Sequence, residues 1–226
     1  MIAASASSPT TPNNPANILV MDLHANDSDA AGWLVEGNGR ELHNVSVSGT
    51  AAGISVVGDG NTLHNAVVNG NQGIGISVLG HNNLLDTPNV TKSASHGIQV
   101  TGDRNQVLKA LAGDKDKGNQ GDGIRVGGVG SLLQDNRAND NGGKGFDVSG
   151  GTSIAPNRLK NNQSNTAASG TENGGGEYVL LNYVKNDGGG NKADGIVVPK
   201  TSAPVKCPAF PATNATVNFP SASVCE

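Results

Sequence analysis

The sequence predicts an all-β fold, a single-stranded right-handed parallel β-helix of about seven to eight coils with about 22 residues per coil. Three observations carry that prediction. A Gly-Ile-x-Val pattern returns about once per coil from Gly53 to Gly195. Three further columns of residues keep step with it. The composition, 33 Gly with only 3% aromatic and 15% charged residues in 226, suits turns and short strands and not helices.

The pattern comes first. Ile54-Ser55-Val56, Ile76-Ser77-Val78, Ile98-Gln99-Val100, Ile124-Arg125-Val126 and Phe146-Asp147-Val148 align at steps of 22, 22, 26 and 22 residues. Trp33-Leu34-Val35 fits one step upstream, and Ile196-Val197-Val198 falls 50 residues after Phe146. Tyr178-Val179-Leu180 is the expected strand of the irregular coil between them. Within each strand the residues at i and i+2 point inward, so Ile and Val stack on their equivalents one coil away. Branched side chains suit that surface. Coils separated by the strand spacing of about 4.8 Å build a rod of about 30 Å over six to seven steps.

The other columns explain the bends. Gly37, Gly58, Gly80, Gly102 and Gly128 stand where the chain must turn, and glycine adopts positive φ there without steric cost. Arg40, Asn61, Asn83, Asn105 and Ser131 follow, and then Leu42, Leu63, Leu85, Val107 and Leu133. A third short strand carries Val45/Val47, Ala66/Val68 and Ala110/Ala112. Asn71, Asn119, Asn141 and Asn191 hold one position ahead of Gly-Ile or its equivalent. Stacked Asn side chains can hydrogen-bond from coil to coil and satisfy backbone groups left unpaired at a corner. A leucine-rich repeat would need a Leu-dominated consensus, and a calcium-binding nonapeptide roll would need serial Gly-Gly-x-Gly-x-Asp; neither is present.

The ends differ from the middle. Residues 1–16, rich in Ser, Thr, Pro and Asn, read as a linker; 17–32, with Asp22 to Gly32, as an N-terminal cap; 33–198 as the solenoid; and 199–226 as a C-terminal cap. Cys207 and Cys225 are the two cysteines. In an exporting organism they most simply form a disulfide that closes the last loop, with two free thiols as the alternative that spacing leaves open. The net charge of −4, from 15 basic and 19 acidic residues spread along the chain, argues against nucleic-acid binding. No apolar run reaches the length needed to cross a bilayer. The first residues lack the basic and apolar regions of a signal peptide; the expected location is nonetheless extracytoplasmic, secreted or at the cell surface.

Asn61-Thr62-Leu63 followed by Asn71 and Gly75-Ile76-Ser77-Val78 resembles the repeats of the right-handed parallel β-helix superfamily, over roughly residues 33 to 198. That superfamily includes pectate lyases, polygalacturonases, alginate epimerases and surface proteins without activity, so the resemblance implies fold more than chemistry. Polygalacturonase-like sites need paired Asp residues and a Gly-His-Gly; Ser95-His96-Gly97 keeps only the His-Gly. Arg158-Leu159-Lys160 resembles that family's Arg-x-Lys but falls in the Asn-x-Leu column, more than two coils beyond His96. The Asp-Pro-His-Glu motif of alginate epimerases is absent. Pectate-lyase-like sites pair an acidic calcium cluster with a nearby Arg or Lys, and that pattern alone has an echo here.

The echo lies on three adjacent coils. Down the stack, the residue between Ile and Val reads Ser55, Ser77, Gln99, Arg125, Asp147, and the residue before the column glycine reads Ala52, Ile74, His96, Asp122, Lys144, Asp194. His96, Asp122, Arg125, Lys144 and Asp147 are therefore the candidate catalytic residues, about 5 Å apart between coils. Arg125 or Lys144 would hold a uronate carboxylate, and His96 or Asp122 would act as base. The competing reading is an ion-pair ladder of alternating sign. Asp114, Asp116 and Asp122, on and beside the long step, are the candidate metal ligands with calcium as the cation, although no closing Glu is present and Lys115 and Lys117 oppose it. His24, His43, His64 and His81 read as scattered over turns and strand ends, which argues against a second metal cluster. The expected function is an extracytoplasmic β-helix, monomeric or part of a larger protein, that binds an acidic polysaccharide, with lyase, hydrolase or epimerase chemistry open. The alternative is a non-catalytic structural or adhesive module of a larger surface or secreted protein.

Overall fold

Each coil contributes three short strands separated by corners, and equivalent strands of successive coils pair in parallel. A computed structural model describes residues 19–26, 31–152, 154–164 and 173, together with the strands Tyr178–Leu180, Asn182–Asn186, Lys192–Ala193, Ile196–Val197 and Val205–Cys207. The first sheet has seven strands: Ala31–Glu36, Ala52–Val57, Ile76–Leu79, Ile98–Thr101, Ile124–Gly128, Phe146–Gly150 and Tyr178–Leu180. The second sheet follows the Asn-x-Leu column from Leu19–Met21 to Asn182–Asn186, and the third runs from His24–Asn26 to Lys192–Ala193. This is the predicted parallel solenoid.

The register is the one the Gly-Ile-x-Val pattern implies. Ile54 pairs with Ile76, Ile76 with Ile98, Ile98 with Ile124 and Ile124 with Phe146, and the Val column stays beside it. These side chains, with Leu63, Leu85, Leu133, Val47, Val68 and Val90 from the other two sheets, form one buried core along the axis. Trp33 heads the column and is buried, as core. The glycine before Ile is required by proximity. A Cβ on Gly53 would lie 1.8 Å from the carbonyl oxygen of Gly75, and on Gly75 2.6 Å from that of Gly97.

Two ends of the pattern differ from expectation. Tyr178–Leu180 does continue the first sheet, pairing in parallel with Phe146–Val148. Ile196–Val197 does not: it runs antiparallel to Lys192–Ala193 in the third sheet. Asp194-Gly195 lies between those two strands in sequence, and Asp-Gly is the dipeptide that favours a tight reversal. Val205–Cys207 is likewise antiparallel to Asn182–Val184 and ends the second sheet. At the other end, Leu19–Met21 and His24–Asn26 already pair in parallel with the following coil, so pairing begins within the stretch expected to be the N-terminal cap. Residues 1–16 and Cys225, and with it the expected Cys207–Cys225 disulfide, lie outside the described residues.

Stacked polar side chains line the inside of the corners. The backbone N–H of Arg40 donates to Asn61 Oδ1 at 2.8 Å, Asn61 N–H to Asn83 Oδ1 at 2.8 Å, and Asn83 N–H to Asn105 Oδ1 at 2.9 Å. Ser131 Oγ and Asn157 Oδ1 extend the run. A second ladder links Thr50 to Asn71, and Ser93 through Asn119 and Asn141 to Asn173. Asn173 holds the ladder position five residues ahead of Tyr178, where no Asn was expected; the expected Asn191, ahead of Ile196, lies outside the described residues. A third, shorter ladder joins Ala110, Asn136 and Asn162. Among the described residues, extra residues fall at corners, where they leave the strands in register. Gly113 to Lys117 bulges out before Asn119 rejoins its ladder, and Gly150 to Ala155 does the same before Asn157.

Two outcomes follow. Asn83→Ala leaves the N–H of Asn61 buried without its acceptor and is expected to cost about 1–3 kcal/mol, whereas Ser77→Ala on the outer face stays within about 0.5 kcal/mol; urea denaturation midpoints measure both. Hydrogen bonds from Asn161 and Gln134 hold the Asp135 carboxyl below its ordinary value of 3.8. Its contribution to stability is therefore complete above that value and fades as pH falls through the lowered native one. Asp135→Asn is expected to remove that part of the acid slope, read from denaturation midpoints between about pH 2 and 5.

Candidate functional site

The corner before the first sheet fixes where the candidate side chains start. Gly97 N–H donates to the carbonyl of Asp122, and Gly123 N–H to that of Lys144, so His96, Asp122 and Lys144 stack one above the other. Arg125 and Asp147 are paired residues of the neighbouring strands and point to the outer face. All five expected residues come together on three coils.

They form one connected network. Asp122 Oδ1 accepts the backbone N–H of Lys144 at 2.9 Å, and its Oδ2 lies 3.3 Å from His96 Nδ1. The same Nδ1 is 3.0 Å from the backbone N of Asp122, and His96 Nε2 is 3.3 Å from an Arg125 terminal nitrogen. Asp147 Oδ2 receives Lys144 Nζ at 3.1 Å and lies 3.6 Å from Arg125 Nε. The contacts are those of an ion-pair ladder, with one asymmetry. The two carboxylate side chains are about a tenth exposed, while the Arg125 side chain is 50% exposed, Lys144 27% and His96 21%. Carboxylates form the floor, and the cationic and imidazole groups form the surface.

Two glycines make room for this arrangement. A Cβ on Gly143 would lie 2.5 Å from Asp122 Oδ1, and one on Gly121 2.9 Å from His96 Nδ1. Nothing in the repeat pattern marks these glycines as different from the rest. The sequence also places Asp147 outward without showing that Lys144 and Arg125 cover it, since that depends on how two long side chains lie across a neighbouring coil.

The metal expectation is met differently. Asp114 and Asp116 belong to the bulge, where Lys117 N–H closes a turn on the Asp114 carbonyl and Asp116 has positive φ. Asp122 is engaged with His96 and the Lys144 amide. Among the described residues no three His, Cys, Asp or Glu side chains are gathered so as to hold a metal ion. The histidines are less scattered than the sequence suggests. His43 and His64 stack on the second sheet with ring centroids 5.4 Å apart, and His64 Nδ1 is 2.9 Å from Asp86 Oδ2. The signal was their shared place three residues after the Arg40/Asn61 column, minus the regularity of the other coils.

Because Asp147 is nearly buried, its pairing with Arg125 is expected to show a coupling of about 1 kcal/mol in a double-mutant cycle with Arg125→Ala and Asp147→Ala, at the upper end for surface pairs. A coupling near zero would leave the network without energetic content.

Comparison with other proteins bears on the fold. A family model described as "Right handed beta helix region" matches residues 31–178. No curated protein matches. Among solved structures, that of the periplasmic alginate epimerase AlgG is similar at 17% identity and a TM-score of 0.48, over 72% of this chain and 39% of that one. A point mutant of AlgG gives 15% identity and a TM-score of 0.47, over 73% and 47%. The chain thus spans less than half the length of either. Among the described residues no helix is long and apolar enough to cross a membrane. With the family model matching 148 of 226 residues, the chain belongs to the right-handed β-helix family.

Proposed function

We propose that this protein is an extracytoplasmic β-helix that binds an acidic polysaccharide on the outer face of its first sheet, at Arg125, Lys144 and His96. One observation carries the reading: Asp122 and Asp147 lie beneath, and the groups that can meet an anion lie above them. A uronate carboxylate approaching that face meets the half-exposed guanidinium first, and Arg presents a planar fork suited to a carboxylate. The buried Asp147 fixes Arg125 and Lys144 in place before a ligand arrives, which lowers the ordering cost of binding. Coils of constant spacing suit a polymer with repeated acidic sugars.

Binding is favoured over turnover by the state of the two carboxylates. Asp122 is engaged through both oxygens, and Asp147 is shared between two cations. His96 is the imidazole at the surface of the network, its Nδ1 turned to Asp122 and its Nε2 to Arg125, and lyase or epimerase chemistry would run through it.

The test is a panel of pectate, alginate and other uronate polymers, with and without calcium, following binding, viscosity and the absorbance of unsaturated products. Binding to at least one polymer that weakens about tenfold in Arg125→Ala and falls with added salt is the expected result. Absence of binding across the panel, or binding indifferent to Arg125→Ala, overturns the proposal and leaves the rod as a spacer or display module. Product absorbance that disappears in His96→Ala would add catalysis to the binding role.

A further inference from the structure

A second surface carries an observation that the first does not use. On the second sheet and the corner before it, Asn82, Arg104, Gln106, Gly130, Leu132 and Arg158 line a concavity of about 390 Å³. That size lies at the lower end of the roughly 300–1,000 Å³ of small-molecule sites. Its shape follows from register. Gln106 pairs with Leu132, and Leu132 with Arg158, so these three stand on successive coils. Arg104 precedes Gln106 at the corner, where its backbone N–H donates to the carbonyl of Val129. The middle coil thus presents Gly130 and Leu132 where the coils on either side present Arg104 and Arg158. Two long side chains flank a short one, and a depression results.

The chemistry of the lining is one-sided. It holds two guanidiniums, two neutral amides and one apolar side chain, with no carboxylate among the six. Arg104 Nε donates to Asn82 Oδ1 at 2.9 Å, a neutral acceptor, which fixes the guanidinium plane and leaves the terminal nitrogens for another partner. Gly130 has φ +71, the left-handed region that favours glycine, and it leaves no side chain between Arg104 and the corner. Leu132 is partly exposed on the floor. An apolar floor flanked by two guanidiniums, that of Arg104 fixed by Asn82, fits a ligand with one apolar face and one planar oxyanion.

We infer that this pocket is a binding site for a single acidic sugar unit, with its carboxylate held between Arg104 and Arg158 and its ring face on Leu132. The ligand class rests on the acidic-polysaccharide reading above; the pocket itself does not, and it lies on a different sheet from the His96–Asp147 network.

The experiment is an amide and guanidinium NMR titration of the full chain with galacturonate, using galactose and acetate as controls. The expected result is a galacturonate-dependent shift at Arg104, Gly130 and Arg158, absent with galactose, stronger than with acetate, and weakened about tenfold in each of Arg104→Ala and Arg158→Ala. Lys144→Ala should leave that response unchanged. Retained chemical-shift dispersion in the variants shows that the coil is intact, and Arg104→Lys, which keeps the charge but loses the fork, should bind more weakly than the parent. Shifts confined to Arg125 and Lys144 would overturn the pocket while leaving the first-sheet reading in place. Equal response to acetate and galacturonate would reduce the site to a carboxylate hole and overturn the sugar assignment, and no response at Arg104, Gly130 and Arg158 would overturn the pocket, while the first-sheet reading stands or falls on the polymer panel.

Discussion

Corners of this solenoid take some backbone groups out of sheet pairing, and the neighbouring coil satisfies them. Within a strand the partner is supplied automatically, because the next strand is one spacing away. At a bend it is not, and a buried N–H without an acceptor is costly. The side chains of Asn61, Asn83 and Asn105 supply the missing acceptor, each Oδ1 receiving the N–H of the residue one coil earlier. An amide side chain is suited to this because its oxygen accepts while its nitrogen donates; Asn105 Nδ2 reaches the Gly80 carbonyl at 2.9 Å. Much of the rest follows: where the ladder is continuous the register cannot slip, and the core stacks Ile on Ile.

The same constraint explains where the chain tolerates irregularity. The bulge from Gly113 to Lys117 sits just before Asn119, and the loop from Gly150 to Ala155 just before Asn157. In each case an Asn re-enters the ladder and resets the coil. Residues added inside a strand would displace every inward side chain to the outer face; residues added ahead of a ladder position displace nothing. Loops on such a rod are therefore free to vary.

That division also sets what was legible in the sequence. The inward columns were readable because Ile, Val and Leu at fixed steps have one physical explanation, and the alignment from Trp33 to Phe146 holds in the structure. Legibility fails where the step changes. Asn173 escapes the pattern because it follows Asn141 at a separation of 32 residues and no Gly-Ile follows it to mark the coil. Ile196 shows the converse error: a Gly-Ile-x-Val was read as a parallel strand, but the residues around Asp194-Gly195 permit a hairpin and the chain reverses. The candidate site was legible as a location, since periodicity fixes which outward residues are neighbours. Its depth was not, because the covering of Asp147 by Lys144 and Arg125 depends on long side chains whose direction no repeat encodes.

The two faces differ in a way that bears on what each can do. On the first sheet the cations are paired to buried carboxylates, so the surface is pre-positioned but partly neutralised, and any anion must compete with Asp147 for Arg125. On the second sheet Arg104 is positioned by a neutral amide, which orders the guanidinium without spending its charge. A salt bridge supplies rigidity at the expense of field, whereas an amide supplies rigidity alone. A long polymer with many weak contacts suits the first arrangement, because no single site has to bind tightly. A single acidic unit needs the second, since all of its affinity must come from one place. The solenoid can carry both because its register is set from inside, leaving the outward positions of each sheet to diverge independently.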